Sequence, residues 1–334
     1  KNWAYMRLLV TGGLGFIGSN FILKLLSKTP DLKILNVDAE LHGSNPKNLE
    51  GLNNSENYEF VKGNISNKKF MEEQISKCDL VVNFAAESHV DRSINDANPF
   101  LVSNIRGAFT ILDIITKQKK RMIQVSTDEV FGSLTNDTAT ELSKFNPSSP
   151  YAATKASAEL IINSYFTTYN SDVIITRCTN NYGPRQFAEK LIPKTIILAN
   201  KNQKIPIYGN GSNIRDWIYV DDHCDAIEMA LFRGKSGDSY NISADNEVNN
   251  LTIVKKILEI MNKSDDLIDF VEDRPGHDYR YSMSSKKISN ELDWNVKTSF
   301  DEGLEKTIHW YLDNPEILND TSQKVLDSTP WRTN

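Results

Sequence analysis

Eight residues near the amino terminus constrain this chain more than any others: Thr11-Gly12-Gly13-Leu14-Gly15-Phe16-Ile17-Gly18. Arg7-Leu8-Leu9-Val10 before them reads as a short buried strand. The spacing of Phe21, Ile22, Leu25 and Leu26 after them predicts a helix. Glycines 13, 15 and 18 fit G-x-G-x-x-G, and glycines 12, 15 and 18 fit a wider G-x-x-G-x-x-G. Without side chains the turn is tight, and its backbone can approach a pyrophosphate at the helix amino end. Lys33 to Val37 predicts a second strand that ends in Asp38, twenty residues after Gly18. An acid there accepts both ribose hydroxyls and repels a 2′-phosphate, so the unit predicts NAD rather than NADP.

Strand and helix patterns then alternate. Tyr58–Val61, Leu80–Phe84, Met122–Val125 and Val173–Thr176 read as strands. Lys68–Ile75, Phe100–Thr116 and Tyr151–Tyr169 read as helices. Repeated units of this length predict an α/β fold, a Rossmann-like doubly wound parallel sheet. Past about residue 180 the pattern loosens. Residues 181–185 read as a loop, Leu191–Ala199 as a helix, Ile205–Tyr208 and Ile218–Asp221 as strands. Helices follow over His223–Phe232 and Leu251–Met261, and Ser299-Phe300-Asp301-Glu302 is a capping-box start for a last helix through Trp310. The expected division is a dinucleotide domain over 6–180 and a smaller C-terminal α/β substrate domain over 181–334. Segments at about 214–242 are expected to cross back to the first domain.

A formal net charge of −6 argues against a general nucleic-acid binder, and any anionic ligand must be held by placed cations. Cys78, Cys178 and Cys224 are scattered and odd in number, which predicts a reducing compartment, the cytoplasm. No run of about 18 apolar residues predicts a membrane span. Histidines 42, 89, 223, 277 and 309 show no metal spacing, so no metal is expected. Met6 reads as the natural start, preceded by residues 1–5.

Ser126-Thr127-Asp128-Glu129-Val130-Phe131-Gly132 begins where the Met122–Val125 run ends. Its side chains should therefore emerge at the carboxyl edge of the sheet, where open α/β sheets bind ligands. Tyr151 and Lys155 are four apart, on one helical face. A nearby ammonium and a positive nicotinamide ring would favour the phenolate and make Tyr151 a usable base near neutrality. On an ordinary helix such a pair means little, and two adjacent acids are most often a solvated turn. Downstream of a dinucleotide motif, the set reads as an acid–base kit.

The glycine turn with Tyr-x-x-x-Lys resembles the extended short-chain dehydrogenase/reductase superfamily. Within it, residues 83–93 (NFAAESHVDRS), 127–132 (TDEVFG), 176–184 (TRCTNNYGP), 208–217 (YGNGSNIRDW) and 273–278 (DRPGHD) resemble the dTDP-glucose 4,6-dehydratase family. The resemblance runs from about Met6 to Trp310. Thr127-Asp128-Glu129 is its most discriminating part, because related epimerases and decarboxylases usually lack the Asp-Glu pair.

The resemblance implies a reaction in which Tyr151, with Lys155, takes the C4 hydroxyl proton while NAD⁺ takes the hydride. Thr127 bonds the C4 oxygen, Glu129 removes the C5 proton, Asp128 protonates the departing C6 hydroxyl, and hydride returns to C6. It places the cofactor against Gly12, Gly15, Phe16, Ile17, Gly18, Asp38, Asn64, Ile65, Phe84, Ala85, Ala86, Ser103, Tyr151, Lys155 and Asn181. Substrate contacts carried over are Ser88, His89, Thr127, Asn180, Lys190, Leu191, Pro206, Tyr208 and Asn250, with Arg215, Arg274 and His277 at the diphosphate. The implied product is a deoxysugar precursor.

Three departures stand out. Asn64 replaces an Asp beside the adenine, where its amide should still accept from the adenine amino group. Residues 39–43 differ after the ribose acid, and Phe131 replaces a Tyr as a packing change. The resemblance also implies a homodimer paired through the 100–116 and 151–169 helices. Other readings are a UDP-sugar 4,6-dehydratase, a 4-epimerase, and a non-catalytic NAD-binding sensor. No nucleic-acid or membrane partner is expected.

Overall fold

A computed structural model describes residues 6–327 and Trp331. Residues 1–5, which precede the expected start, lie outside the described residues.

The first half follows its periodicity. β1 (Arg7–Thr11), β2 (Lys33–Asp38), β3 (Tyr58–Lys62), β4 (Leu80–Asn83), β5 (Arg121–Thr127) and β6 (Val173–Cys178) are joined by helices. All pair in parallel, and β1 lies between β2 and β4. The order reverses between β1 and β4, which opens a crevice at the strands' carboxyl ends. Apolar side chains fill both faces. On one, Phe21, Ile22 and Leu25 from the Phe16–Lys28 helix meet Ile227 and Leu231 from the Val220–Arg233 helix. On the other, Met71, Ile75, Ile111, Ile115 and Ile162 close the core. Each fully buried side chain of this size contributes about 1.5–3 kcal/mol.

The second half builds small sheets and returns to the large one. β7 (Asn180–Tyr182) pairs with β9 (Ile214–Tyr219), and β8 (Ile205–Tyr208) pairs with β12 (Ile268–Val271). β10 (Ser239–Ile242) joins β6 as the large sheet's seventh strand, and β11 (Glu247–Asn249) pairs antiparallel with β9. The helices Leu191–Asn200, Asn250–Ile260 and Phe300–Asp313 enclose a separate core around Ile196, Ile253, Leu304 and Tyr311.

Several expectations need correction. The 181–185 loop begins inside β7, a three-residue strand too short to show periodicity. β9 starts at Ile214, and Val220 and Asp221 belong to the following helix. β5 and β6 run two residues further than their apolar cores, because buried Ser126, Thr127, Arg177 and Cys178 pair across them. β10, β11 and β12 carry no strong apolar signal of their own.

Two local features shape the crevice. Ser149 caps the Pro150–Tyr169 helix through the Ala152 N–H, and Pro150 pre-sets its first turn. The helix expected over Phe100–Thr116 runs over 98–118, with a π-helical turn at Leu101–Gly107. A Cβ on Gly107 would lie 2.4 Å from Ile65 Cδ1, so any larger residue would push the Ile65 side chain aside where this helix packs against the crevice.

Candidate active site

The crevice holds a cavity of about 300 Å³. Its dinucleotide end is built by backbone. Gly12 has φ +70°, and a Cβ there would sit 2.7 Å from the Ala85 backbone. A Cβ on Gly18 would come within 2.5 Å of the Gly12 carbonyl. The Phe16–Lys28 helix starts at Gly15 with no side-chain cap and no acid in its first turn, so its leading N–H groups face the crevice. Thr11 Oγ1 donates to Asn83 Oδ1 (2.5 Å) and Asn83 Nδ2 to Gln124 (2.8 Å), which straps β1, β4 and β5 beneath the cradle. All fifteen residues expected at the cofactor line this cavity, as do the five of the acid–base set.

Asp38 is buried and close to saturated. Its Oδ1 accepts from Glu40 N (2.8 Å) and Ser44 Oγ (2.8 Å), and its Oδ2 from Leu14 N (3.0 Å). One lone pair of Oδ2 stays open, enough for a single ribose hydroxyl rather than the two expected. Asn64 is likewise committed: its Oδ1 accepts both Ser66 N (2.9 Å) and Ser66 Oγ (2.8 Å). A backbone donor fixes that orientation, so the outward amide group can donate to a base but not accept from its amino group.

Thr127 ends β5 and caps the short Asp128–Phe131 turn, accepting from Glu129 N at 3.3 Å and donating to Asp128 Oδ1 at 3.2 Å. Asp128 is buried and its Oδ2 has no partner. Burial, with Glu129 beside it, holds the Asp128 carboxyl well above the usual carboxylate range. Burial also raises Glu129, opposed by Arg274 and Arg215. Asp128 is thus the carboxyl that keeps its proton, and Glu129 has cations nearby to favour its ionised form.

Tyr151 is buried as well. Burial, reinforced by Glu129, pushes its phenol well above the ordinary value. The Lys155 ammonium donates to the Val125 carbonyl at 2.7 Å, and burial lowers it to about 8. The chain alone therefore keeps Tyr151 protonated, and a further positive charge in the cavity is what its ionisation requires.

Below this edge a buried network fixes the helix to the sheet. Glu159, one turn past Lys155, pairs with Arg177 at 2.7 Å and accepts from Ser126 Oγ at 2.5 Å. The Arg177 guanidinium also lies 5.2 Å from the Phe131 ring, so Phe131 packs against a cation. Breaking such a buried pair from one side costs about 3–5 kcal/mol.

The expected substrate residues fall into three groups. Ser88, His89, Thr127, Asn180 and Lys190 line the cavity, and Lys190 Nζ donates to the Ser88 carbonyl at 3.0 Å. Burial holds His89 neutral, at about 3. Beyond Glu129 lies a second cluster. Asp91 accepts from Arg274 (2.7 Å) and from the Tyr208 hydroxyl (2.9 Å), and the Arg274 Nε is buried without a partner. His277 pairs with Asp273 at 2.6 Å, 6.2 Å from the Tyr208 ring. Arg215 lies 4.2 Å from the Tyr281 ring centroid. Leu191 and Asn250 open their helices and Pro206 sits in β8; these three are not brought to the cavity wall.

The comparisons with known proteins follow this geometry. The model of the GDP-mannose 4,6 dehydratase family matches residues 9–307. A dTDP-glucose 4,6-dehydratase of Mycobacterium tuberculosis is 41% identical over 92% of this chain and 94% of its own length. The chain belongs to this family. The low-salt glycan biosynthesis protein Agl12 of Haloferax volcanii is 44% identical over 93% of this chain and 100% of its own length. A crystal structure of dTDP-glucose 4,6-dehydratase from Bacillus anthracis in complex with NAD has a TM-score of 0.88 at 43% identity, covering 93% of this chain and 98% of its own.

Within this dehydratase family site, the sequence reading missed Asp91, Glu189, His42 and Tyr281. Glu189 Oε2 lies 2.6 Å from His42 Nε2 and 3.5 Å from His89 Nδ1. Residue type could have flagged Asp91, an acid two residues past His89 in a quoted motif. Nothing local flags Tyr281, which depends on the return of the 278–281 segment to β9.

Proposed function

We propose that this chain is a dTDP-glucose 4,6-dehydratase, converting dTDP-glucose to dTDP-4-keto-6-deoxyglucose and water. The observation that carries the reading is the placement of Asp128 and Glu129, in different electrostatic surroundings, beside Thr127, Tyr151 and Lys155 at the mouth of a dinucleotide cradle.

NAD, when bound, supplies the hydride acceptor at C4, the hydride donor at C6 and a positive charge beside Tyr151. Gly12, Gly15 and Gly18 admit its pyrophosphate to the helix N–H groups, and the open lone pair of Asp38 takes a ribose hydroxyl. Tyr151 removes the C4 hydroxyl proton, with Lys155 stabilising the phenolate and Thr127 bonding the oxygen. The resulting ketone acidifies C5–H, which Glu129 abstracts. Hydroxide is a poor leaving group, so Asp128 gives its proton to the C6 hydroxyl and water departs. Arg215 and Arg274, with His277, take the diphosphate, for which a guanidinium fork is suited. Residues 6–180 serve mainly the cofactor and 181–334 mainly the substrate, with β10 and the helix before it returning to the first unit.

The three buried free thiols support a reducing compartment, the cytoplasm. A homodimer is supported by Leu101, Val102, Phe109, Leu160 and Tyr169, which leave apolar surface exposed on the two helices expected to pair. Sedimentation should give a dimer; monomer alone would reject the pairing.

Purified protein incubated with dTDP-glucose, UDP-glucose and GDP-mannose, with and without NAD⁺, tests the reaction by mass spectrometry. Loss of one water from dTDP-glucose alone is expected. Loss from UDP-glucose would move the substrate, an epimer of unchanged mass would replace the reaction, and no change would favour a sensor.

A further inference from the structure

A chain of hydrogen-bonding groups leads from Glu129 to the surface. The Tyr281 hydroxyl lies 3.5 Å from Glu129 Oε2 and 2.7 Å from Asp278 Oδ2. Ser148 Oγ donates to the same Asp278 oxygen. Tyr281 and Asp278 are buried, whereas Ser148 is exposed. The Asp278 carbonyl is held by Arg215 Nη2 (2.9 Å) and Asn213 Nδ2 (3.2 Å), and the Arg215 guanidinium stacks over the Tyr281 ring. Both residues are therefore fixed, although neither belongs to the strand-end motif.

A phenol has one proton to give. The shorter contact takes it, so Tyr281 donates to Asp278 and offers Glu129 only an acceptor oxygen. That arrangement is mismatched to a Glu129 carboxylate and matched to a Glu129 carboxylic acid, the form reached once the base has done its work. Burial raises the affinity of Glu129 for that proton. Contacts of this kind are often long before substrate closes the site.

We propose that Tyr281 and Asp278 form a proton relay that connects Glu129 to solvent through Ser148. The inference rests on the dehydratase reading. When the C5–H bond breaks, its electron pair becomes the C5=C6 bond and the proton goes to Glu129. Glu129 then gives that proton to the Tyr281 oxygen while Tyr281 passes its own to Asp278. The tyrosine ends as it began, Glu129 is again a carboxylate, and Asp278 holds the proton until it leaves past Ser148. Reversed, the same path delivers a solvent proton for C5. Without the relay, Glu129 keeps the abstracted proton and hands it back.

The test is the origin of the hydrogen at C5. Holoenzyme turns over dTDP-glucose in D₂O, the reaction is quenched within the first turnovers, and the product is read by proton NMR at C5. Wild type should carry deuterium there. In Tyr281→Phe and in Asp278→Asn the substrate's own hydrogen should be retained, with exchange reduced at least about a hundredfold, the low end for a lost proton-transfer group. Asp278→Asn keeps an acceptor for Tyr281 but cannot take up a proton, so it decides the question if Tyr281→Phe fails to fold. Dehydration with full C5 deuteration in the variants, or retained hydrogen in wild type, would overturn the relay alone. Failure of wild type to release water from dTDP-glucose would overturn the dehydratase reading and the relay with it.

Discussion

The two sides of the site are made differently: the dinucleotide wall lines the cavity, and the substrate wall is the cluster beyond Glu129. On the dinucleotide wall, Asp38 and Thr127 end parallel strands and Gly12 and Phe84 follow them, so position along the chain sets position in space. On the substrate wall, Asp91 meets Tyr208 and Arg274 across separations of 117 and 183 residues. The first wall comes from the sheet's regular geometry, and its groups are fixed by backbone. The second is assembled from side chains that neutralise one another until a ligand arrives. Damage to the first should change what is held permanently, and damage to the second what is held in passing.

The acid–base pair lies between the walls, and changing it should have the largest effect. Glu129→Gln keeps size and hydrogen bonding but cannot take the C5 proton, so dehydration should fall by about 10²–10⁴-fold. Dinucleotide retention and oxidation at C4 should persist, seen as reduced nicotinamide absorbance that no longer decays. Loss of C4 oxidation as well would mean that Glu129 also serves the first step.

The substrate wall comes next. Arg274→Ala leaves Asp91 buried without its cation, and truncations of this type cost about 2–5 kcal/mol. The expected result is a KM raised at least about 30-fold, the low end of that range, with the dinucleotide still bound. Gly18→Ala attacks the other wall. Its methyl would press on the Gly12 carbonyl, and overpacking costs about 1–3 kcal/mol, so dinucleotide affinity should drop about fivefold or more. Binding of dinucleotide and of substrate, measured separately by titration calorimetry in both variants, checks the contrast. If Arg274→Ala loosened the dinucleotide as much as Gly18→Ala does, the walls would not be separable.

That contrast also explains what could be read from the sequence. A glycine triplet between an apolar run and a helix has one physical use, and an acid at the next strand end has few. The residues expected on the dinucleotide wall, Ser103 and Asn181 among them, accordingly line the cavity. What failed there was hydrogen-bond accounting. Ser66 occupies the Asn64 oxygen, and Ser44 with the Glu40 N–H one oxygen of Asp38, and such near-neighbour bonds leave no periodic trace. For Tyr151, residue spacing shows who is near but not how dry the site is, so the weight that falls on the nicotinamide charge was not legible. Lys155 turns to a backbone carbonyl, and burial is the largest influence on the phenol. On the substrate wall, motif likeness pointed to Arg215, Arg274 and Tyr208 but not to Asp91 as the anion joining two of them. Tyr281 owes its place to a bridge between Ile214 and Arg280, distant in sequence and without a strand pattern.

The smallest expected effect concerns the joint between the walls. Asn181 lines the cavity, and its Oδ1 is 2.9 Å from His223 Nδ1, whose Nε2 is buried without a partner. Burial holds His223 at about 3, against an ordinary 6.5. Between those values the unfolded chain binds the proton and the folded one does not, so this site's contribution to stability is lost as pH falls below about 6.5. His89 and His277 are lowered by burial in the same sense, so the wild-type slope carries all three. His223→Asn keeps a donor for Asn181 and removes one titration. It should lower stability at every pH yet flatten the loss between about pH 6.5 and about pH 5, by up to about 1.4 kcal/mol per pH unit. Denaturant unfolding at both ends of that range measures it. An unchanged slope would mean that His223 is solvated before the fold opens, and the joint would then be looser than either wall.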